Sequence, residues 1–357
     1  MTPFTGGRNL MTFSLDDSGA GLRTTQRTTQ FVPVASDEVT NMFKLVNFVI
    51  LCGLLSPFGL ISNVINIVVF VKLGFHDSMN ISLMGLAVSD LVSLVSMVYI
   101  SLSYNPLFVN AGLPFDPLGV QYMVGGGIHV CFARITSLIT AFITFERCLC
   151  IAMPLKVKLI ITPTRTKLII FSIFAVMFVV FSPFYFVNKL TWELDADRNA
   201  TILTHTFTDD RIIVETITFL IHGVIFSVFC FVLIICCTVI LVVKLNSKTK
   251  WREATAAKGV NAPEGVGVKD KRVVKMVTFI SSIFIVCFFP ATVILLALAL
   301  VPDLGYGAKY ENMWFVLWSI SCLTETVNSS VNILVYLKMS SKFRAVFMKT
   351  FLNREEK

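Results

Sequence analysis

Residues 145–155, Phe-Glu-Arg-Cys-Leu-Cys-Ile-Ala-Met-Pro-Leu, end a long apolar segment with an adjacent acid–base pair. Glu146 can neutralise Arg147, whose long side chain can reach the aqueous interface, so the pair is tolerated at a membrane edge. Pro154 then ends the helix, because proline lacks a backbone N–H and disfavours helical geometry in the preceding residue. The stretch predicts the inner end of a membrane-spanning helix. A basic residue flanking any membrane helix would look similar, so the pair alone does not define a function.

The composition is that of an integral membrane protein. Hydrophobic residues make up 55% of the 357 residues and charged residues only 15%, whereas about a quarter of the residues in soluble domains are charged. The net charge of +8 would suit nucleic acid in a soluble chain, but we find no nucleic-acid-binding motif. The nine cysteines lie inside apolar segments or at their inner edges. We therefore expect no extracellular disulfide framework.

Seven stretches are long enough to cross a bilayer, whose ~30 Å hydrocarbon core requires about 20 helical residues. Each is expected to be a helix, because backbone polar groups in lipid must be paired within the segment. The predicted spans are 46–71, 79–103, 118–152, 168–187, 216–243, 276–300 and 312–337. A short amphipathic helix on the inner leaflet is predicted from apolar residues at helical spacing: Phe343, Val346, Phe347 and Phe351. The predicted fold class is an all-α membrane protein, a seven-transmembrane helix bundle with a short amphipathic eighth helix.

The distribution of Lys and Arg predicts the orientation, since these residues favour the cytoplasmic side. With the N-terminus outside, the inner segments hold 20 of them and the outer segments 8. The predicted organisation is a flexible extracellular tail over 1–44, a membrane domain over 45–351 and a short cytoplasmic tail over 352–357. Residues 246–270 are predicted to form a mobile basic loop. Asn199, in an Asn-Ala-Thr sequon on the outer side, is a candidate glycosylation site.

Polar side chains inside the predicted spans are the main clue to function, because they are costly in lipid. They form two helical faces: His129, Thr136, Thr140 and Arg147 in the third span, and Glu325, Asn328, Asn332 and Tyr336 in the seventh. Asn63 and Asp90 lie mid-depth in the first two spans. Interhelical hydrogen bonds of ~0.6 kcal/mol can explain any single asparagine. A lone carboxylate needs a cation, a proton or several donors, so Asp90 is a candidate ion or proton site.

A second polar group lies in the outer halves of the spans and could line a cavity open to the outside. One histidine there is more often a packing residue, so only the group as a whole favours a ligand pocket. Arg134 lies about 140° around the helix from His129 and is expected to need a separate partner, either Glu215 or Glu325. The candidate pocket residues are His129, Ala133, Arg134, His222, Phe288, Cys322 and Glu325.

Six short motifs occur in order along these spans. They are Ser62-Asn63-Val64; Leu86-Ala87-Val88-Ser89-Asp90-Leu91; Glu146-Arg147-Cys148 followed by Pro154-Leu155; Phe284-Ile285-Val286-Cys287-Phe288-Phe289-Pro290; Asn332-Ile333-Leu334-Val335-Tyr336; and Lys342-Phe343-Arg344. Over roughly residues 45–351 the chain resembles the rhodopsin-like (class A) G-protein-coupled receptors. It is most similar to invertebrate, molluscan-type chemosensory or neuropeptide receptors.

The resemblance implies a plasma-membrane receptor, not an enzyme, that senses an extracellular small molecule or neuropeptide and activates a heterotrimeric G protein. Arrestin is a further implied partner, and an internal sodium ion at Asp90 is the only implied bound ion. Glu146 and Asp270 would hold Arg147 at rest, and the sixth helix would swing outward about Pro290 on activation. The implied activation and coupling residues are Glu146, Arg147, Pro154, Leu155, Asp270, Phe284, Phe288, Pro290, Asn332 and Tyr336. The implied ion and water site comprises Asn63, Asp90, Thr136, Asn328 and Asn332.

The chain departs from the family pattern at several landmarks. Tyr122 occupies the position of the usual outer cysteine of the third helix, and the second extracellular loop has no cysteine, so the family's disulfide is absent. Phe288 replaces the tryptophan of the sixth-helix motif, and Ile333 replaces the proline of the seventh. His129 stands where amine receptors carry an aspartate, which argues against an amine ligand.

An ion- or proton-coupled transporter or channel is the alternative class. Asp90, His129 and Glu325 would supply its polar path through the membrane. Transporters often contain inverted repeats with matching broken helices, and we see no such symmetry in this sequence.

Overall fold

The computed structural model describes residues 13–15, 22–24, 35–153, 157, 159–196, 198–256, 264–301, 303–305 and 308–353. Seven long helices and a shorter eighth helix make up most of this part of the chain. They are α1 (Asp37–Phe43, π-helical Lys44–Cys52, Gly53–Leu73), α2 (Ser78–Ser103), α3 (Pro117–Gln121, π-helical Tyr122–Gly126, Gly127–Ala152), α4 (Pro163–Val187), α5 (Arg211–Thr218, π-helical Phe219–Ile225, Phe226–Ala256), α6 (Glu264–Leu300), α7 (Glu311–Met339) and α8 (Ser341–Phe351). The predicted all-α bundle is confirmed.

Two antiparallel strand pairs accompany the helices. They are β1 (Phe13–Leu15) with β2 (Leu22–Thr24), and β3 (Asn188–Asp195) with β4 (Ala200–Phe207). In the β3–β4 hairpin, Asn188 lies opposite Phe207 and Asp195 opposite Ala200. The sequence analysis missed this hairpin, although the Thr- and Ile-containing β4 segment has residues that favour strands.

Helix α1 begins earlier than predicted. The Ser36 side chain caps it by accepting a hydrogen bond from the Val39 backbone N–H at 3.3 Å, and acidic residues in the first turn favour the helix dipole. Asn312 of α7 donates to the Asp37 carboxylate at 2.7 Å. The predicted boundary between tail and membrane domain at residue 44 is therefore too late, since 37–44 belong to the helical bundle.

The inner ends of α5 and α6 also extend beyond the predicted spans. Helix α5 continues to Ala256 and α6 starts at Glu264, so most of the predicted mobile loop 246–270 is helical. Lys, Arg, Glu and Ala are good helix formers. A helix can therefore continue into water beyond the apolar segment that spans the bilayer.

Helix α7 is less apolar than the other long helices. Among the described residues, six helices are long and apolar enough to cross a membrane: Asp37–Leu73, Ser78–Ser103, Pro117–Ala152, Pro163–Val187, Arg211–Lys244 and Val273–Leu300. Helix α7 has 29 residues, and its buried polar side chains include Glu325, Thr326, Asn328, Ser329, Ser330 and Asn332. It packs against α1, α2 and α6, which shield these groups from lipid.

Helix α3 occupies the centre of the bundle and contacts α2, α4, α5 and α6. Ile135, Ile139 and Ile143 recur every four residues along it, and each is 0% exposed. They belong to one apolar cluster with Met177 of α4 and Leu241 of α5. In a bilayer such contacts stabilise mainly through close packing, since lipid tails are as apolar as the side chains. Helix α3 thus places its buried polar side chains, such as His129 and Arg134, at the centre of the bundle.

Helix α8 follows α7 after a capped turn. The Ser340 side chain accepts a hydrogen bond from the Phe343 backbone N–H at 3.2 Å. The buried Phe343 ring packs against Phe70 of α1 and Tyr336 of α7, with ring centroids 5.4 and 5.3 Å apart. These contacts attach α8 to the inner end of the bundle.

Candidate functional site

A buried cluster of charged and polar side chains joins α3 to α7, and we call His129, Arg134 and Glu325 the polar bridge. Arg134 Nη2 donates to Glu325 Oε1 at 2.5 Å, and His129 Nε2 lies 3.1 Å from Glu325 Oε2. Of the two partners predicted for Arg134, Glu215 and Glu325, the structure shows Glu325. His129 contacts the same carboxylate, although its helical direction differs from that of Arg134. One carboxylate serves both residues because each of its oxygens accepts from a different side.

The polar bridge also reaches α2 and α5. Ser93 Oγ of α2 lies 3.0 Å from His129 Nδ1, and Arg134 Nη1 donates to Ser227 Oγ of α5 at 2.6 Å. An ionised carboxylate only accepts, so His129 Nε2 carries a proton, and in a neutral ring Nδ1 accepts from the Ser93 hydroxyl. At 1%, 4% and 6% exposure, His129, Arg134 and Glu325 are almost fully removed from solvent. Such charges are stable only while their partners remain.

Arg134 additionally contacts α6. Its guanidinium carbon lies 5.5 Å from the centroid of the Phe288 ring, and Phe288 stacks on Phe284 with ring centroids 4.2 Å apart. Pro290 lies just beyond Phe288 inside α6, where a proline removes a backbone hydrogen bond and weakens the helix. A movement of Arg134 would therefore change a contact of α6 that lies next to Pro290, where the helix is weakest.

The other predicted pocket residues lie on two sides of the polar bridge. Ala133 belongs to one buried cluster with Phe288, whereas Cys322, one turn before Glu325 on α7, belongs to another cluster with Phe48 and Met97. His222 is 0% exposed in the π-helical part of α5. The structure therefore brings Ala133, but not Cys322, to the side of the bridge that faces Phe288.

His222 and Arg134 retain unused hydrogen-bonding atoms. Both ring nitrogens of His222 and Arg134 Nε are buried without a hydrogen-bond partner among the described residues. His222 lies between the rings of Phe181 and Phe219, at centroid distances of 5.0 and 5.2 Å. Buried polar atoms without partners are uncommon, so these are the groups in the predicted pocket most available to a ligand.

Asp90 lies deeper in the bundle, where its fully buried carboxylate accepts three hydrogen bonds. The donors are Thr136 Oγ1 at 2.8 Å, Ser329 Oγ at 2.9 Å and Asn332 Nδ2 at 2.9 Å. The sequence analysis missed Ser329, although it lies three residues before Asn332 on the same helical face. The sequence analysis required a cation, a proton or several hydrogen-bond donors to stabilise this carboxylate, and the structure shows several donors.

Two residues of the predicted ion and water site have other positions. Asn63 donates to the backbone oxygens of Gly59 and Ser329, at 2.9 and 2.8 Å, and so joins α1 to α7. Asn328 is buried in α7, but within the described part of the chain its neighbour Ser329 supplies the α7 hydroxyl that contacts Asp90.

The inner end of α3 carries the acid–base pair predicted from residues 145–155. Arg147 Nη2 donates to Glu146 Oε1 at 2.7 Å. Less than one helical turn before this pair, Thr144 Oγ1 and Ser281 Oγ are 2.7 Å apart and join α3 to α6. Pro154, Leu155 and the side chain of Asp270 lie outside the described residues. The predicted contact between Arg147 and Asp270 stays a prediction.

Comparisons with known proteins agree with this arrangement. The profile of the family described as "7 transmembrane receptor (rhodopsin family)" matches residues 62–336. The human thyrotropin-releasing hormone receptor is 25% identical over 333 residues, covering 84% of this chain and 75% of that receptor. The growth hormone secretagogue receptor type 1 of Sus scrofa is 26% identical over 311 residues, covering 84% and 78%. The FMRFamide receptor of Drosophila melanogaster is 24% identical over 315 residues, covering 85% and 54%.

The helix bundle and its buried polar contacts define a membrane receptor of the seven-helix class. The chain belongs to the rhodopsin family of seven-transmembrane receptors, since the family match covers most of its length. It is therefore a ligand-sensing, G-protein-coupled receptor in a membrane that it crosses several times. The alternative of a transporter or channel is wrong, because the matched region contains the helices that carry Asp90, His129 and Glu325.

Proposed function

We propose that the chain is a plasma-membrane receptor for a neuropeptide, with its N-terminus outside and its C-terminus inside. The observation that carries the proposal is the buried Arg134–Glu325 ion pair, in which Arg134 contacts Phe288 of α6. Among the described residues, Arg134 Nε has no hydrogen-bond partner. The names of the thyrotropin-releasing hormone and FMRFamide receptors favour a peptide over a small chemosensory ligand. A peptide also has charged and amide groups, which could exchange hydrogen bonds with the polar bridge.

Activation follows from competition for the polar bridge. A ligand carboxylate or amide oxygen would bind Arg134, or a ligand cation would bind Glu325, and either would loosen the contact between Arg134 and Phe288. Helix α6 would then move outward about Pro290 and separate Thr144 from Ser281. Shifting a two-state equilibrium from 1:99 to 99:1 takes about 5.5 kcal/mol, and breaking a buried ion pair changes stability by about 3–5 kcal/mol. The bridge is therefore of the right magnitude to control the resting state.

At the inner end, Arg147 would leave Glu146 when α6 moves. The opened cleft would admit the heterotrimeric G protein and afterwards arrestin. This part of the proposal is supported by the 2.7 Å contact of Arg147 with Glu146 and by the nearby Thr144–Ser281 contact between α3 and α6. The matched family is one of receptors, and we infer from it that the chain is a receptor and not an enzyme.

A peptide panel tests this function. Cells expressing the chain are exposed to pools of synthetic peptides, in free-acid and C-terminally amidated forms, and to a pool of small odorants. We expect at least one peptide pool to raise nucleotide exchange on Gα, with no response in cells lacking the chain. A response only to small molecules would contradict the peptide proposal, and silence to all pools at normal surface expression would contradict the whole proposal.

A sodium ion is proposed at Asp90. One carboxylate, two hydroxyls and an amide supply the hard oxygen atoms that such an ion prefers. We expect NaCl, compared with equal KCl, to raise the melting temperature of the purified receptor by about 2 °C, as for a site near tenfold saturation.

The Asp90→Asn variant should lose this sodium effect. Asn63→Ser is the matched control, because Asn63 bonds to backbone oxygens of Gly59 and Ser329 instead of Asp90. An equal sodium effect in wild type and Asp90→Asn would rule out this position for the ion.

N-glycosylation at Asn199 is also proposed. Asn199 is an exposed residue in the turn between β3 and β4, with a left-handed φ of 45°. Asn199 is therefore exposed at a loop tip, the kind of surface position at which N-glycans are attached.

A further inference from the structure

The β3–β4 hairpin is attached to the outer end of α3 by its backbone. The Asp116 N–H donates to the Leu203 oxygen at 2.8 Å, and the Leu203 N–H donates to the Pro114 oxygen at 3.0 Å. In the first turn of α3, a Cβ atom added to Gly119 would lie 3.1 Å from His205 Cβ. A larger residue at this position would require a small outward shift of β4, because the strand approaches the helix so closely.

Five side chains form a polar cluster at the same place, and we call Tyr122, Asn188, His205, Arg211 and Glu215 the outer clasp. His205 Nε2 lies 2.7 Å from Asn188 Oδ1, and Asn188 Nδ2 donates to Glu215 Oε1 at 2.7 Å. The Tyr122 hydroxyl donates to the same oxygen at 3.2 Å, and Arg211 Nε donates to Glu215 Oε2 at 3.0 Å. One carboxylate therefore joins α3, the hairpin and α5. Glu215, once a candidate partner of Arg134, belongs to this cluster instead.

A series of ring contacts continues from the outer clasp to the predicted ligand pocket. The rings of His205 and Tyr122 are 5.1 Å apart, and Tyr122 is 5.8 Å from Phe184. Phe184 is 5.1 Å from Phe181, which is 5.0 Å from His222. A shift of the hairpin is thus transmitted by direct contact to a histidine with unpaired ring nitrogens.

We propose that the outer clasp takes the place of the missing disulfide, and that Tyr122 and His205 position the hairpin against the ligand pocket. Tyr122 occupies the position of the expected cysteine, and its ring packs on the loop residue His205. The role of the hairpin beside a ligand pocket rests on the proposed function, but the attachment of the hairpin to α3 can be measured without a ligand. Because the clasp is non-covalent, acid should loosen it, whereas a disulfide would resist acid.

The surroundings of His205 determine whether acid strengthens or weakens the attachment of the hairpin. Burial, together with the positive charge of Arg211, lowers the pKa of His205 to about 4, although Asp116 opposes the shift. The other ionisable groups facing it are Tyr122, by ring contact, and Glu215, through Asn188. In a detached hairpin, His205 would have the ordinary histidine pKa of about 6.5. Attachment is therefore at full strength above about pH 6.5 and weakens as the pH falls towards 4.

Hydrogen–deuterium exchange of the full-length receptor in lipid nanodiscs tests the proposal. Protection factors for β3 and β4 would be measured in wild type, His205→Ala, Tyr122→Leu and the double variant. We expect each single variant to lower protection about tenfold, as for the loss of a hydrogen bond or ring contact, and the double variant to lower it little further. Glu193→Ala, an exposed position on β3, is the control and should match wild type.

The pH profile separates positioning by His205 from a general loss of structure. Protection of the hairpin in wild type should fall between pH 6.5 and 4, and His205→Ala should lose this dependence. Unchanged protection in both single variants, strictly additive effects, or equal pH profiles in wild type and His205→Ala would overturn the proposal.

A cysteine pair provides the covalent counterpart. Gly119→Cys with His205→Cys places the two Cβ atoms 3.1 Å apart, so the hairpin must move outward by a few tenths of an ångström to reach the ~3.8 Å typical of a disulfide. The Asp116 carboxylate must also rotate away from the new side chain. Under oxidising conditions this variant should regain wild-type protection and keep it at pH 5, and reductant should remove the gain. An oxidised pair that leaves the hairpin unprotected would contradict the proposal. These measurements use no peptide or G protein, so their failure is distinguishable from a failure of the peptide panel.

Discussion

Replacing Glu325 with glutamine is expected to destabilise the receptor by about 3–5 kcal/mol, because Arg134 would keep its charge in the bundle without a carboxylate. Arg134 is 4% exposed, and its other described hydrogen-bond partner is the neutral hydroxyl of Ser227. For a chain of 357 residues the melting temperature should fall by about 4–7 °C. Thermal unfolding of the purified receptor measures the change. Glu311→Gln, at the outer end of the same helix, is the control and should have little effect.

Removing both charges should restore most of the lost stability. In Arg134→Met/Glu325→Leu no unpaired ion remains, and apolar side chains can replace a buried ion pair with little loss. The residual cost is the Nε2–H of His129, which loses its acceptor and contributes about 1–3 kcal/mol. A double variant as unstable as Glu325→Gln, or a Glu325→Gln variant with the wild-type melting temperature, would show that the ion pair does not act as described.

Replacing Arg147 with alanine is expected to reduce ligand-stimulated G-protein activation by about 100-fold or more, since a charge at a protein interface is worth about 2–5 kcal/mol. Surface expression should stay normal, because Arg147 is only partly buried and lies at the inner helix end. Arg165→Ala removes an exposed arginine in the first turn of α4 and serves as the control.

Glu146→Gln should have the opposite effect on basal signalling. It weakens the 2.7 Å contact that holds Arg147, and a coupling loss of 1.4 kcal/mol corresponds to a tenfold change in the equilibrium. We expect basal nucleotide exchange to rise about tenfold. Wild-type signalling in Arg147→Ala, or an unchanged basal level in Glu146→Gln, would contradict the role of this pair.

The spans could be predicted from the sequence because lipid demands long apolar helices, whereas their ends could not. Beyond the bilayer, the ends depend on capping and on helix-forming residues, as Ser36 shows for α1 and the extension to Ala256 shows for α5. The β3–β4 hairpin depends on cross-strand pairing and on the left-handed turn at Asn199. A polar loop sequence gives little indication of such pairing.

The polar residues of the site could be predicted individually, but not their partners. The helical angle between His129 and Arg134 indicated different directions, yet the reach of the arginine and the two oxygens of Glu325 bring both to one carboxylate. Similarly, Ser329 contacts Asp90 because a small hydroxyl fits between α2 and α7. Side-chain length and the approach of neighbouring helices decide such contacts, and neither follows from periodicity.

The central claim is that the polar bridge holds α6 in its resting position. Ligand-free nucleotide exchange on Gα tests this claim most directly. Purified wild type and Arg134→Met/Glu325→Leu would be compared in nanodiscs at equal receptor concentration. We expect the double variant, which remains folded, to exchange nucleotide at least about tenfold faster, because about 1.4 kcal/mol or more of resting-state preference is lost. Equal or slower basal exchange in a folded double variant would contradict a resting lock formed by Arg134 and Glu325.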